Sequence, residues 1–155
     1  MVNVIVVLIF LVSVILLLGY GRTYVVERQP RQAEFMKGVA GMSALDGDYK
    51  GVAHGYSGTW QGKTIFQSKK SGINRFLYGE KLEQKYPFAL SFQKALRDAD
   101  KDVIVLDYNQ PGNPWWLKYI VDEMVEVGPQ QYLGKVHVRI TSGLVFTLGY
   151  FSLTK

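Results

Sequence analysis

Few residues in this chain have types and spacing suited to chemistry, and the acidic pair Asp122-Glu123 comes first among them. Adjacent residues on a strand point to opposite faces, so one of the two carboxylates is directed at the interior of any sheet structure. Leu117, Tyr119, Val121, Val125 and Val127 form an alternating apolar row that Glu123 interrupts, which makes Glu123 the inward candidate. A carboxylate inside a protein must be ion-paired or stand in a wet cavity, where it can fix the polar end of a ligand. Asp107, in the otherwise apolar stretch VIVLDY, poses the same question. His137 would complete a general acid–base pair only by sharing the interior with such a carboxylate. Its row also holds Lys135 and Arg139, which predicts a solvent-facing side.

Other arrangements fail on spacing. His54 and His137 are the only histidines, and neither has a further ligand at a metal-binding interval. Asp98, Asp100 and Asp102 begin like a calcium loop, but position six is Val103 where glycine is needed, and position twelve is Asn109. They read as a charged hairpin turn. The stretch GTWQGKT at 58–64 has the ending of a phosphate-binding loop, yet only three residues separate Gly58 from Gly62, and Ile65-Phe66 continue as a strand rather than a helix. No Gly-x-Ser-x-Gly nucleophile motif is present. With no cysteine there is no disulfide, thiolate site or cysteine nucleophile. Nothing in the pattern calls for a metal or cofactor. The net charge of +5 comes from scattered residues, with Lys69-Lys70 the only adjacent basic pair. That distribution lacks the clustered stripe of a nucleic-acid binder and suits attraction to an anionic membrane surface.

The elements that must position these residues begin with a run, 1–20, that carries no charged side chain. A bilayer core of about 30 Å needs roughly 20 helical residues, so this stretch predicts a transmembrane anchor, or an uncleaved signal. The absence of a basic n-region and the bulky Tyr20 favour the anchor. Arg22, Arg28 and Arg31 are diluted by Glu27 and Glu34, which leaves the side of the membrane open. Residues 21–43, polar and interrupted by Pro30, read as a stalk.

Residues 44–155 read as one mainly β domain. Short β-rich runs appear at 63–67, 73–78, 87–96, 103–108, 117–127, 132–140 and 145–153, joined by turns such as Ser71-Gly72 and GPQQ. Asn113-Pro114 predicts the cap of a short helix bearing Trp115, Trp116 and Leu117. Some seven to nine strands with short connections close as a sandwich or an antiparallel up-and-down barrel. A Gly-x-Trp at the strand entry (58–60) favours the barrel, because the indole of Trp60 can close one end. The ordered set DGDYKG, GTWQGK, SGINRF, LRDADKDVIVLDYN, NPWWLKYIVDE, YLGK and LGYFSL resembles a family of poorly characterised bacterial lipocalin-like proteins over most of 44–155. That resemblance implies a small barrel and carries over no catalytic residue.

A barrel of about eight strands holds either side chains or one small ligand. The expectation is therefore a membrane-anchored binding protein for a small apolar or amphipathic molecule such as a lipid. Trp60, Phe88, Phe92, Tyr108, Trp116 and Tyr119 would supply the walls, and Glu123 or Asp107 the polar end. If the aromatics fill the barrel, the domain is instead an interaction module for a protein partner, with Trp115-Trp116 as its surface.

Overall fold

The structure, a computed structural model, describes residues 2–41 and 45–155. Two helices, α1 (Val2–Glu27) and α2 (Pro30–Lys37), lead into eight strands. These are β1 (Gly47–Ala53), β2 (Trp60–Phe66), β3 (Ser71–Tyr78), β4 (Lys81–Lys94), β5 (Asp102–Asp107), β6 (Ile120–Gly128), β7 (Gln131–Thr141) and β8 (Leu144–Thr154). Each strand pairs antiparallel with its sequence neighbour, and β1 pairs with β8, which closes an up-and-down barrel. Closure leaves no free sheet edge along the paired length.

β1 is the strand that its sequence conceals. Its glycines weaken the strand signal, yet Gly51 and Gly62 are what allow β1 and β2 to cross closely. Gly62 has φ +123°, and a Cβ there would collide with the Tyr49 carbonyl and the Gly51 backbone. GTWQGKT is thus the entry into β2, with a β-bulge between Trp60 and Gly62.

Alternation sorts the strands into two apolar faces. The inner face carries Tyr49, Ile65, Phe88, Leu90, Ile104, Leu106, Met124, Tyr132 and Leu153, with Leu45 joining them at the end where the chain enters. This fills one half of the barrel with side chains. The outer face of β5–β8 is also apolar: Val103, Val105, Val121, Val125, Leu133 and Tyr150 form a second core with Val26 and Phe35 of the helices.

Residues 21–41 are therefore not an extended stalk. α1 runs unbroken to Glu27, and α2 starts with Pro30 in its first turn, where the missing N–H costs nothing. Val26 and Phe35 are fully buried, each worth about 1.5–3 kcal/mol. The polar composition misled because the polar side chains find partners on the barrel: Tyr150 donates to Gln32, and Gln32 donates to Asp98. The predicted boundary at 43/44 lies outside the described residues.

α1 also closes a gap in the sheet. The β1–β8 pairing stops at Ala53–Phe151, so residues 144–149 of β8 have no β1 neighbour. There the Thr147 N–H donates to Thr23 Oγ1 (2.9 Å), and the Leu148 carbonyl accepts from Arg22 Nε (2.7 Å). Backbone groups that would be orphaned are paired with helix side chains instead. Gly19 lets the helix lie against the Phe146 ring, and Tyr20 packs edge-on to the same ring at 5.1 Å. Asn3–Glu27 is long and apolar enough to cross a membrane.

Candidate ligand cavity and its polar floor

The other half of the barrel is open. A cavity of about 440 Å³ lies at the end formed by the β1–β2, β3–β4 and β5–β6 connections. Trp60, Phe76, Tyr86, Trp116, Ile120 and Phe151 make most of its wall. Trp116 belongs to a 3-10 turn, Trp115–Tyr119, that begins after Pro114 as its sequence predicts. Asn113 steadies this loop by donating from Nδ2 to the carbonyls of Pro87 and Tyr108 rather than by capping the turn. Tyr86 enters the cavity through a bulge in β4: Ile73 pairs with Pro87 and Asn74 with Lys85, leaving Tyr86 over at φ +61°. A tyrosine in the left-handed region is strained, and such strain gathers at functional sites.

The floor is a buried charge cluster. Lys63, on the same face of β2 as Ile65, sends its ammonium into the barrel with 2% exposure. It donates to Asp122 Oδ2 at 3.0 Å, Asn74 Oδ1 at 2.8 Å and the Tyr108 hydroxyl at 2.5 Å. Tyr108 in turn donates to Asp122 (2.7 Å), and Trp60 Nε1 donates to Asn74 (3.0 Å). The rings of Trp60, Phe88, Tyr108 and Phe151 surround the ammonium at 5.0–5.4 Å. Burial pushes the Lys63 ammonium below its usual pKa, and the Asp122 charge partly offsets this. Burial and then the Asp122 charge push Tyr108 well up. All three ammonium protons have acceptors, so the cluster closes on itself. Above it, the surface offered to a ligand is almost wholly apolar.

The structure corrects the face assigned to Glu123. Asp122 shares the inner face with Met124, whereas Glu123 lies with Val121 and Val125 on the outer face. Of the apolar row Leu117, Tyr119, Val121, Val125 and Val127, the three valines share one face, which packs under the helices rather than inside the barrel, while Leu117 joins the inner core and Tyr119 a rim groove. Glu123 accepts from the Leu96 N–H (2.5 Å) and meets His137 Nε2 at 3.1 Å. His137 Nδ1 is 3.2 Å from Thr147 Oγ1, which donates to Glu27. His137 is therefore not exposed, because α1 covers its row. Thr147, His137 and Glu123 have the order of a nucleophile–base–carboxylate relay, but all three are 0% exposed and no substrate can reach them. They fasten the helix to the wall.

The remaining predicted residues divide. Trp60, Tyr108 and Trp116 line the cavity, and Phe88 lies under its floor. Asp107 is on the outer face of β5 and accepts from Asn109 N–H, closing a turn. Phe92 is half-exposed at the filled end of the barrel, beside Val39 and Ala40 and away from the cavity. Tyr119 sits outside the cavity, in a rim groove with Lys118 and Arg139. Among the described residues, no three of His, Asp and Glu converge to hold a metal ion. Lys63 and Asp122 were missed because they are 59 positions apart; the available signal was that Lys63 alternates in phase with Ile65, and Asp122 with Met124.

Compared with known proteins, the chain matches no family model, no curated protein and no solved structure at a significant level.

Proposed function

We propose that this protein is a membrane-anchored, lipocalin-like binding protein whose barrel takes up one small apolar or amphipathic molecule. The observation that carries this reading is the contrast inside the barrel: one half is packed solid, and the other holds a cavity with aromatic walls and a self-neutralised floor. Because the Lys63–Asp122 pair satisfies itself, it offers a ligand no free charge. The ligand's buried part is therefore hydrocarbon or aromatic, and any polar head points to the mouth. α1, apolar over its first turns and locked to β8 by Arg22 and Thr23, serves as the anchor.

Tryptophan quenching tests this directly. The chain has three tryptophans, so replacing Trp115 and Trp116 by Phe leaves Trp60 as the reporter. Titration of the detergent-solubilised full chain with a brominated fatty acid should quench Trp60 saturably, with one molecule per chain. Quenching that rises linearly without saturation would contradict the reading.

A further inference from the structure

We propose that the mouth of the barrel is seated on the bilayer surface, so that the cavity opens toward lipid rather than toward bulk water. This rests on α1 being an anchor, and the geometry then leaves little freedom. Arg22 is the first charged residue after the apolar run, and an arginine side chain keeps its head out of hydrocarbon. The membrane boundary therefore lies near Arg22. Tyr20 and Tyr24, half-exposed beside it, and Arg28 stacked on Tyr24 at 3.9 Å, are the residues expected at that boundary.

The barrel meets the helix at this same level. Gly19 and Tyr20 touch Phe146, and Arg22 and Thr23 bind β8 at Leu148 and Thr147. These β8 residues lie toward the β7–β8 turn, at the open end of the barrel; the filled end is where α2 leads the chain in, past Val39 bridged to Glu126. No spacer separates span from barrel, since α1 is one helix through both. A mouth held at the depth of residues 19–23 is at the head groups.

The rim has the composition for that position. Trp115 is 74% exposed and Tyr56 69%, on two different mouth connections, Leu82 near the start of β4 is 53% exposed, and Ile140 near the end of β7 is also exposed. Beside them, Lys118 and Arg139 face a groove of about 320 Å³ that contains no carboxylate. Aromatic rings with adjacent cations suit the boundary between acyl chains and lipid phosphates.

The test uses the full chain with Trp60→Phe, so that only Trp115 and Trp116 emit, reconstituted into phosphatidylcholine vesicles containing lipid brominated high on the acyl chain. The expected result is blue-shifted emission, strong loss of intensity to the brominated lipid, and little loss to aqueous iodide. A second variant, Trp115→Ser in that background, should retain co-flotation with vesicles and report the same shielding from Trp116. Co-flotation with both tryptophans open to iodide and untouched by brominated lipid would overturn the seated mouth while leaving the anchor and the cavity standing. Failure to co-float would overturn the anchor and this orientation together. The saturable fatty-acid titration at Trp60 is read separately from either result.

Discussion

Asp122 and Glu123 are neighbours on one strand, yet they serve two opposite sides of the same wall. Asp122 turns inward and neutralises Lys63 at the bottom of a cavity. Glu123 turns outward and, with His137, Thr147 and Glu27, ties α1 and the 95–101 loop to the barrel. Both carboxylates are nearly or wholly buried and both have a basic partner. What differs is their surroundings. The inner pair has space and aromatic rings above it, so it is the floor of a cavity; the outer cluster has packed side chains all around, so it is a clasp. Burial of charge is common to both; only the inner pair adjoins an unfilled volume, which is why the proposed ligand site is placed there.

The largest effect expected from breaking this comparison is at the inner pair. Lys63→Met leaves Asp122 unpaired inside the barrel and should cost about 3–5 kcal/mol in chemical denaturation, while adding Asp122→Leu should restore most of it. If the double variant is no more stable than the single, the pair is not what holds that level of the barrel. On the outer side, Glu123→Leu deprives the Leu96 N–H and His137 of their acceptor and should cost about 1–3 kcal/mol. Its mark is local: faster proteolysis across residues 28–41, with fatty-acid binding at Trp60 unchanged. Loss of binding in that variant would mean the two sides are not independent.

Alkaline pH acts on both faces. Burial is the main reason that Tyr49, Tyr108, Tyr132 and Tyr150 are all raised above the usual tyrosine value. In the unfolded chain they ionise near pH 10, while in the barrel they stay neutral, so their contribution is intact below about pH 10 and is lost as pH rises beyond it. Lys63, with its lowered pKa, works in the opposite direction but is one group against four. Denaturation midpoints measured from pH 8 to 11 should therefore fall at the top of the range, and a flat profile would contradict these burials. The smallest effect on stability is at the cavity wall. Trp116→Ala, at a half-exposed ring, should lower stability by about 1 kcal/mol. Ligand affinity should nevertheless fall clearly, which separates the wall from the scaffold beneath it.

Much of the architecture was legible in the sequence because alternation has a period of two wherever one face is buried. The strand row at 132–140 and the turn at GPQQ stand where the pattern put them, and the row at 117–127 does so from Ile120 on, its first three residues belonging to the 3-10 turn. Which face points inward was not legible. Helices α1 and α2 cover the outer wall of β5–β8, so Val121–Val125 outside carries the same apolar pattern as Ile104–Leu106 inside. That ambiguity sent Glu123 inward and left His137 in solvent. β1 was hidden because its glycines, needed for the close crossing at Gly62, look like loop. Of the site, Trp60, Tyr108 and Trp116 were within reach as ring-bearing residues near strand entries. Lys63–Asp122 was not, because only closure of the barrel brings those positions together.

The measurement that bears most directly on the cavity is native mass spectrometry of the full chain released from micelles after exposure to a lipid extract, run beside Val136→Phe, which places a ring in the open space. The account predicts one bound apolar or amphipathic molecule on the unaltered chain and none on the filled variant. Equal occupancy in both, or none in either, would contradict it.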